Sequence, residues 1–190
     1  MVQLNLPFAL PTDNGDICYE VVFRKIRHPR LELKSGSLFV IAPFGYKKSA
    51  EFVKKYSAWV IKKTTEFRAR EERARGKELK LRKRGDFESL VMKFIGMYSS
   101  QIGFPVNRVT FRKMKSRWGS CSSTGNITIN SRLSMLPDDM IRYITHHEVL
   151  HRKIRNHKKE FYKQVRAEFP DYKIIEKELN EYWLAIRAAA

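Results

Sequence analysis

The chain has 190 residues, of which 43% are hydrophobic and 12% aromatic, a composition typical of a globular protein with one core or two small ones. No apolar run approaches the roughly 18 to 20 residues of a membrane-spanning helix, and the first residues have no basic flank of the kind that begins an export signal. The two cysteines, Cys18 and Cys121, form no CxxC pair and no disulfide framework. We therefore expect a reduced, cytoplasmic protein without a membrane anchor.

The charge is strongly positive, with 38 Lys and Arg against 20 Asp and Glu and a formal net charge of +18. Such a charge attracts polyanions, including nucleic acid and nucleotides. A basic, solvated surface would give the same number without a partner, and no recognised nucleic-acid-binding motif accompanies it. The charge therefore permits nucleic-acid contact without requiring it.

The first 45 residues favour strands. In "ICYEVVFRKI", Tyr19, Val21 and Phe23 alternate with polar residues, and "HPR" then turns the chain into "LELKSGSLFVIAP". These patterns predict a small antiparallel sheet. From about Lys47 the apolar residues follow a helical period that includes Trp59.

A basic run, "RAREERARGKELKLRKRG", follows this helix and contains Gly76 and Gly85. It predicts an exposed helix end or a tether, and it is the best candidate for polyanion contact. We place residues 1–80 in an N-terminal unit made of the sheet, the helix and this basic tether. Residues 81–190 form the second predicted domain.

The second domain is predicted to be α+β, with helices and strands along its whole length. A helix in "DFESLVMKFIGMYSSQIG" is followed by strands in "VNRVTFRKM" and "GNITINSRL", which flank "KSRWGSCSSTG" as a loop or hairpin connection. Three more helices are predicted, from Pro137 to about Lys153, from about His157 to Phe169, and from about Tyr172 onward.

Four of the five histidines lie within residues 143–162, and two of them continue the apolar face of the Pro137 helix. On that helix Met140, Ile144, His147 and His151 recur at spacings of four, three and four residues, so they share one face. Glu148 lies one position round from His147. Histidines at such inward positions are either satisfied core residues or ligands of a shared partner.

These residues spell "HEVLH", the H-E-x-x-H pattern in which two histidines bind zinc and the glutamate is a general base. Imidazoles one turn apart can converge on one ion, and the carboxylate beside the first is placed to take a proton from the water that zinc activates. Burying two imidazoles and a carboxylate without a shared partner would cost several kcal/mol. The pattern therefore predicts a Zn²⁺ site.

A catalytic zinc site normally has a third protein ligand. His157 lies six residues after His151, where a continuous helix would place it on another face, so the helix must end first. Asn156 is the predicted end, since asparagine tolerates helix-terminating conformations. The alternatives to His157 are the downstream carboxylates Glu160 and Glu168.

The chain also resembles the YgjP-like predicted metal-dependent hydrolases, which are related in site architecture to the SprT-like proteins. The resemblance covers most of the chain and is carried above all by "KMKSRWGSCSSTGNITIN" (113–130), "HHEVLH" (146–151), "NHKKEFY" (156–162) and "FPDY" (169–172). It implies a zincin-like catalytic domain with His147, His151 and His157 as zinc ligands and Glu148 as general base. The chain departs from the usual family pattern at His146. It also has Ile154 where the metzincin pattern has a glycine, which argues against a metzincin turn.

The "RWGSCS" segment raises a separate question, because a segment beside an edge strand could line a substrate cleft. Arg117 and Trp118 are candidates for that cleft, although Trp118 and Cys121 also fit packing roles. Arg117, Tyr162 and Arg166 are candidates for stabilising an oxyanion, which the sequence cannot place.

The sequence therefore predicts a zinc-dependent hydrolase, most simply a metallopeptidase that acts on peptide or protein substrates, with nucleic-acid contact through its basic surface as an added hypothesis. One alternative is a zinc hydrolase of nucleotides or other phosphoanhydrides. The other is a basic nucleic-acid-binding module whose metal is not catalytic, with affinity that falls steeply with salt.

Overall fold

A computed structural model describes residues 3–13 and 15–189, with side chains described from Phe8 onward except that of residue 14. Within these residues the chain has six α-helices and two small sheets, which confirms the predicted α+β class. It divides into two compact units, of which the first ends at Arg73 and the second begins at Ala74. No helix in the described ranges is long and apolar enough to cross a membrane.

The first unit is a four-stranded sheet with two helices. Its elements are β1 (Gln3–Leu10), β2 (Ile17–Phe23), β3 (Arg30–Lys34), β4 (Ser37–Ala42), α1 (Ser49–Lys55) and α2 (Ser57–Arg75). The strand order is β1-β2-β4-β3, and β2 pairs with β4 in parallel. The prediction of a purely antiparallel sheet was therefore wrong. The β3–β4 hairpin adds to the sheet through β4, and two reversals of direction leave β4 running the same way as β2.

The helical segment of the first unit is broken at Tyr56, whose backbone N–H reaches the carbonyls of both Phe52 and Val53. Val53 and Val60, seven residues apart, are buried, whereas Trp59 is 38% exposed. The prediction of a single helical face that includes Trp59 was therefore wrong, because Trp59 lies beside the row of side chains that faces the core and not in it.

The second unit holds the remaining elements. They are α3 (Arg84–Ile102), β5 (Arg108–Arg112), β6 (Gly119–Cys121), β7 (Asn126–Asn130), a 3-10 helix (Ser131–Met135), α4 (Asp138–Leu150), α5 (Lys159–Glu168) and α6 (Tyr172–Ala188). The sheet order is β5-β7-β6, with β7 parallel to β5 and antiparallel to β6. The two predicted strands, β5 and β7, pair in parallel, so no hairpin joins them. The predicted connection instead contains β6, which forms a hairpin with β7 and one edge of this sheet.

Helix α4 lies at the centre of the second unit. Its apolar residues are buried on several sides, with Ile141 and Val149 fully inaccessible to solvent. The same core takes apolar side chains from α3, β7, α5 and α6. Because α4 is enclosed in this way, the polar groups it carries lie against a packed, apolar interior.

The start of the second unit contains part of the basic run that the sequence favours as a tether. Lys77 pairs with Glu178 and Glu181, and both Lys80 and Arg82 pair with Asp138. This part of the run is therefore held against the second unit, and its cations already have acidic partners. The boundary after residue 80 stays a prediction, since packing in the folded state does not test which part folds alone.

Candidate metal centre

Three histidines converge where α4 ends and the chain turns toward α5. His147 lies on α4, and His151 caps its C-terminus, because the helix ends at Leu150. The predicted end near Lys153 to Asn156 was therefore too late. A tight turn follows, with the Ile154 N–H bonded to the Leu150 carbonyl. This turn returns the chain toward α4 and brings His157 beside the other two rings.

The helix after the turn begins at Lys159, two residues later than predicted, so His157 belongs to the connection and not to a helix. The Asn156 side-chain oxygen accepts a hydrogen bond from the Lys158 N–H at 3.2 Å. Asn156 thus stabilises the approach to α5, which is close to the capping role that its sequence position suggests.

The ring nitrogens point at a common centre. The Nε2 atom of His157 lies 3.0 Å from that of His147 and 3.1 Å from that of His151. Nitrogens around a tetrahedral zinc, with bonds of about 2.0 to 2.1 Å, would lie roughly 3.3 Å apart. The three histidines therefore fit a single metal ion in number, type and spacing.

The hydrogen bonding of His151 supports this arrangement. Its Nδ1 lies 3.0 Å from the Ile154 carbonyl oxygen, which has no proton to give, so Nδ1 carries the proton and donates. The lone pair of His151 is then on Nε2, facing the other two rings. Metal-binding histidines commonly donate their second N–H to a backbone carbonyl in this way.

Phe161 lies beneath the histidines and was not predicted as part of the site. It is fully buried, and its ring centroid lies 4.8 to 4.9 Å from the centroids of His147, His151 and His157. Its place four residues after His157, at the first turn of α5, is the signal that could have identified it. Phe161 limits the movement of all three imidazoles.

Burial also sets the charge state of the site. It lowers the pKa of His147 to about 3, with the neighbouring histidines adding to the effect, and it lowers the pKa of His151. Burial raises the pKa of Glu148 to about 8, while the positive charge of Arg117 acts in the opposite direction. Neutral imidazoles have free lone pairs, and a carboxylate with a raised pKa is a better proton acceptor.

Glu148 is only 6% exposed and packs against the backbone of β6 at Gly119. A Cβ atom at Gly119 would lie 2.6 Å from Cγ and 2.7 Å from Oε1 of Glu148. Contacts this short are not compatible with the observed carboxylate position. The glycine of "RWGSC" therefore allows the close approach of the strand to the glutamate, a role that the sequence analysis did not assign.

A buried amide holds this segment in place. Asn130, at the end of β7, accepts a hydrogen bond from the Met114 N–H and donates to the carbonyls of Met114 and Arg117. The oxygen of Asn130 also accepts from the Arg132 N–H. The connection that leads to Gly119 is thus fixed to the sheet by a side chain that sequence patterns did not single out.

The histidines and Glu148 line a cavity of about 610 Å³. It lies between β6 on one side and α6 on the other, with α4 contributing its residues between them. The cavity is lined by Arg117, Trp118, Gly119, Ser120, Cys121, Tyr143, Ile144, His147, Glu148, His151, Arg155, His157, Glu176, Leu179 and Asn180.

Both predicted cleft residues reach this cavity, but they differ in setting. Arg117 is exposed, whereas Trp118 packs edge-on against Trp183 of α6 with a centroid separation of 4.4 Å. Trp118 therefore also joins the hairpin to the helices, the packing role considered from sequence. Cys121 lines the cavity as well, and burial raises the pKa of its thiol, which disfavours the nucleophilic thiolate.

The other sequence candidates lie apart from the histidine cluster. Glu168 is bound to Tyr98 and Arg142, and Glu160 accepts a hydrogen bond from Gln164. Arg166 is exposed and does not line the cavity. Tyr162 is nearer, with its ring centroid 6.4 Å from that of His157.

His146, the departure from the family pattern, is buried away from the cavity. Its ring lies 4.7 Å from Tyr98 and 5.4 Å from Phe169, measured between centroids, and burial lowers its pKa to about 4. It packs as a neutral aromatic residue against Tyr98 and Phe169, and it does not line the cavity that holds the three converging rings. The structure thus tolerates histidine there without adding a ligand.

The raised pKa of Glu148 predicts how the stability of the metal-free protein depends on pH. Its carboxyl has a pKa of about 8 when folded and an ordinary value of 4.5, so between these values the folded state holds a proton that the unfolded state releases. The free energy of unfolding therefore falls as pH rises through this window. Glu148→Gln cannot titrate and should gain stability relative to wild type from about pH 5 to 8, by several kcal/mol.

Urea unfolding of both chelator-treated proteins at intervals across this pH range measures the effect. All other ionisable side chains are the same in both proteins, so the difference between the two unfolding free energies isolates the carboxyl group. A difference that stays constant with pH would show that Glu148 has an ordinary pKa in the folded protein.

Comparisons with known proteins identify the family of this chain. The sequence matches the family described as "YgjP-like, metallopeptidase domain" over residues 72–182, which is more than half of the chain. No curated protein matches the chain.

Two solved structures show partial likeness. The metallopeptidase zymogen of Pyrococcus abyssi abylysin is 25% identical, with a TM-score of 0.43 over 47% of this chain and 90% of its own. The metallopeptidase zymogen of Methanocaldococcus jannaschii jannalysin is 24% identical, with a TM-score of 0.41 over 55% of this chain and 94% of its own. TM-scores this low do not establish a shared fold, so the assignment depends on the family match. By that match, the chain belongs to the YgjP-like family of metallopeptidase domains.

Proposed function

We propose that this metallopeptidase is zinc-dependent, with His147, His151 and His157 holding the ion and Glu148 acting as general base. The observation that carries the proposal is the convergence of three imidazole Nε2 atoms beside a buried carboxylate. Three neutral nitrogen ligands suit zinc and leave a coordination position for the reaction. When bound, zinc would supply a Lewis acid that polarises the scissile carbonyl and makes water easier to deprotonate.

Glu148 would take the proton from the attacking water and pass it to the leaving amine. Its burial supports both steps, because the raised pKa makes the carboxylate a stronger base and the resulting acid able to hold the proton until the amine leaves. The apolar surroundings also keep bulk water from solvating the carboxylate. Arg117 faces the same cavity and is the candidate for stabilising negative charge on the substrate oxygen.

Strand β6 suits the binding of an extended peptide. In the described sheet it pairs with β7 on one side only, and its residues line the cavity. An extended chain could add to this edge through backbone hydrogen bonds, which would place its carbonyl groups next to the histidines. A peptide or protein substrate is therefore the substrate class that we propose.

A second candidate, hydrolysis of nucleotides or other phosphoanhydrides, is favoured by two arginines in the cavity lining, Arg117 and Arg155. Guanidinium groups bind phosphate oxygens well. Arg155, however, already donates to the carbonyls of Ser122 and Ser123 at 2.7 Å each, and so it holds the hairpin turn. Hydrolysis of nucleoside triphosphates by a protein that leaves peptides intact would select this candidate.

Nucleic-acid contact is a further part of the proposal. Arg112 at the end of β5 and Lys113 and Lys115 after it are exposed, on the segment that leads to Arg117 at the cavity. Together with the net charge of +18, they could bring a cytoplasmic peptidase to proteins bound on nucleic acid. If affinity for nucleic acid fell steeply with salt while no hydrolysis occurred, the non-catalytic binding module would replace the peptidase.

The ligand set predicts the metal content of three purified variants. Wild type and Glu148→Gln should each hold about one zinc per chain by elemental analysis, because the glutamate is not a ligand. His157→Ala should hold much less. His28→Ala, at an exposed histidine outside the site, is the matched control and should keep its zinc.

The same proteins test the reaction. Wild type and His28→Ala should cleave peptides, while Glu148→Gln should lose activity by at least about a hundredfold despite its bound zinc. Zinc retained in His157→Ala would move the third ligand to another residue. Full activity in Glu148→Gln would remove the glutamate from its proposed role.

Gly119→Ala should reduce peptide hydrolysis without releasing the metal. The added Cβ would meet the Glu148 side chain at 2.6 to 2.8 Å and displace the proposed base, whereas it touches none of the histidines among its nearest atoms. We expect a loss of at least about tenfold in kcat with zinc content unchanged. Gly96→Ala is the matched control, because a Cβ there meets nothing within 4 Å and alanine favours the helix. Equal activity of the two variants would show that Gly119 does not position the glutamate.

A further inference from the structure

The α6 side of the cavity carries an acidic group to which the proposed reaction gives no role. Glu176, Leu179 and Asn180 face the cavity at helical spacing, and Glu176 is half-buried. Glu176 and Glu148 are the two carboxylates among the described residues that line the cavity. The arginines of the lining, Arg117 and Arg155, come from other segments of the chain.

Two tyrosines connect Glu176 with the histidine cluster. It accepts a hydrogen bond of 2.9 Å from the hydroxyl of Tyr143, whose ring is 6.2 Å from that of His147 between centroids. It also acts on Tyr162, whose pKa is raised first by burial and then by the charge of Glu176. Glu176 therefore lines the same cavity as the histidines and is linked to His147 through the side chain of Tyr143.

Glu176 has no cationic partner among the described residues. Apart from Glu148, other half-buried or buried acids of the second unit are paired, such as Glu168 with Arg142 and Glu178 with Lys77. The Tyr143 hydroxyl occupies one of about four acceptor positions on a carboxylate. In a chain with a net charge of +18, an anion in the cavity that forms no ion pair among the described residues is available to a cation from outside.

We propose that Glu176 determines substrate specificity by binding a positively charged nitrogen of the substrate next to the scissile bond. This inference rests on the proposed peptidase function, since it concerns the substrate of the same cavity. The shared chemistry is an ammonium or guanidinium group, which a carboxylate binds through charge-assisted hydrogen bonds. The group has two sources, a Lys or Arg side chain or the free amino terminus of a peptide.

Binding to a zinc-loaded protein with Glu148→Gln, in which turnover is blocked, tests the proposal independently of hydrolysis. The probes are fluorescent peptides of one sequence, with lysine or glutamine at each position in turn and with a free or acetylated amino terminus. Fluorescence anisotropy measures their affinities. The cationic peptide should bind at least about tenfold more tightly than its neutral partner.

Two added substitutions identify the residue that is responsible. Glu176→Gln should reduce the preference to near unity while zinc content is unchanged, and Glu176→Lys should reverse it in favour of a peptide with glutamate at the same position. Glu178→Gln is the matched control, because it removes a carboxylate of α6 that binds Lys77 and does not line the cavity. It should leave the preference intact. A purely structural role for Glu176 would not produce the reversal.

If replacing a peptide lysine by glutamine removes the tighter binding, the cation that Glu176 binds is a side chain. If acetylating the peptide amino terminus removes it, the cation is the terminal amino group. Equal affinity for charged and neutral peptides, no measurable binding of either, or an unchanged preference in Glu176→Gln would overturn the inference. Hydrolysis by the protein with Glu148 intact is assayed separately. Charge-dependent binding without cleavage would contradict the peptidase proposal, and only the binding of a cation by Glu176 would then stand.

Discussion

The burial of Glu148 on α4 is the constraint on which the site depends. A carboxylate that is 6% exposed has lost most of its hydration, and its pKa rises to about 8 as a result. The neighbouring His147 is held neutral by the same apolar surroundings. Such groups reduce the stability of a helix that could have carried leucine at these positions. The proposed chemistry explains their presence, with His147 binding a divalent metal ion and Glu148 transferring a proton.

The rest of the second unit maintains this burial. Gly119 lets β6 lie against the carboxylate, and Asn130 fixes the connection that places Gly119 there. On the other side of the cluster, Phe161 contacts all three imidazoles and Ile154 fixes the tautomer of His151. His147 and Glu148 thus share α4, while contacts from different segments hold the glutamate and the histidine rings in place.

The sequence predicted the parts of the site that follow from local spacing. The HExxH pattern placed His147, Glu148 and His151 on one helix, and the structure forms that helix over Asp138–Leu150, with His151 as its C-terminal cap. It could not fix where the helix ends, since the turn at Ile154 depends on packing. This turn brings His157 to the cluster. From spacing alone, Glu160 and Glu168 had remained alternatives to His157 as the third ligand. The roles of these residues as ligands and base stay predictions.

Features that depend on contacts between distant segments were not predictable. The approach of Gly119 to Glu148 and the hydrogen bonds of Asn130 join residues far apart in the chain. The parallel pairing of β2 with β4 is of the same kind, because alternation indicates a strand but not its neighbour. The RWGSC segment was recognisable from its resemblance to the family, whereas the physical reason for its glycine needed the fold.

X-ray absorption at the zinc edge of the purified protein tests the central claim most directly, because it counts and identifies the atoms bound to the metal. A three-histidine site predicts nitrogen neighbours at about 2.0 to 2.1 Å with the outer-shell scattering of three imidazoles, and a light atom in the remaining position. The spectrum of His157→Ala should show one imidazole fewer if it retains any metal. A sulfur neighbour at about 2.3 Å, or only two imidazoles in the wild type, would contradict the site proposed for His147, His151 and His157.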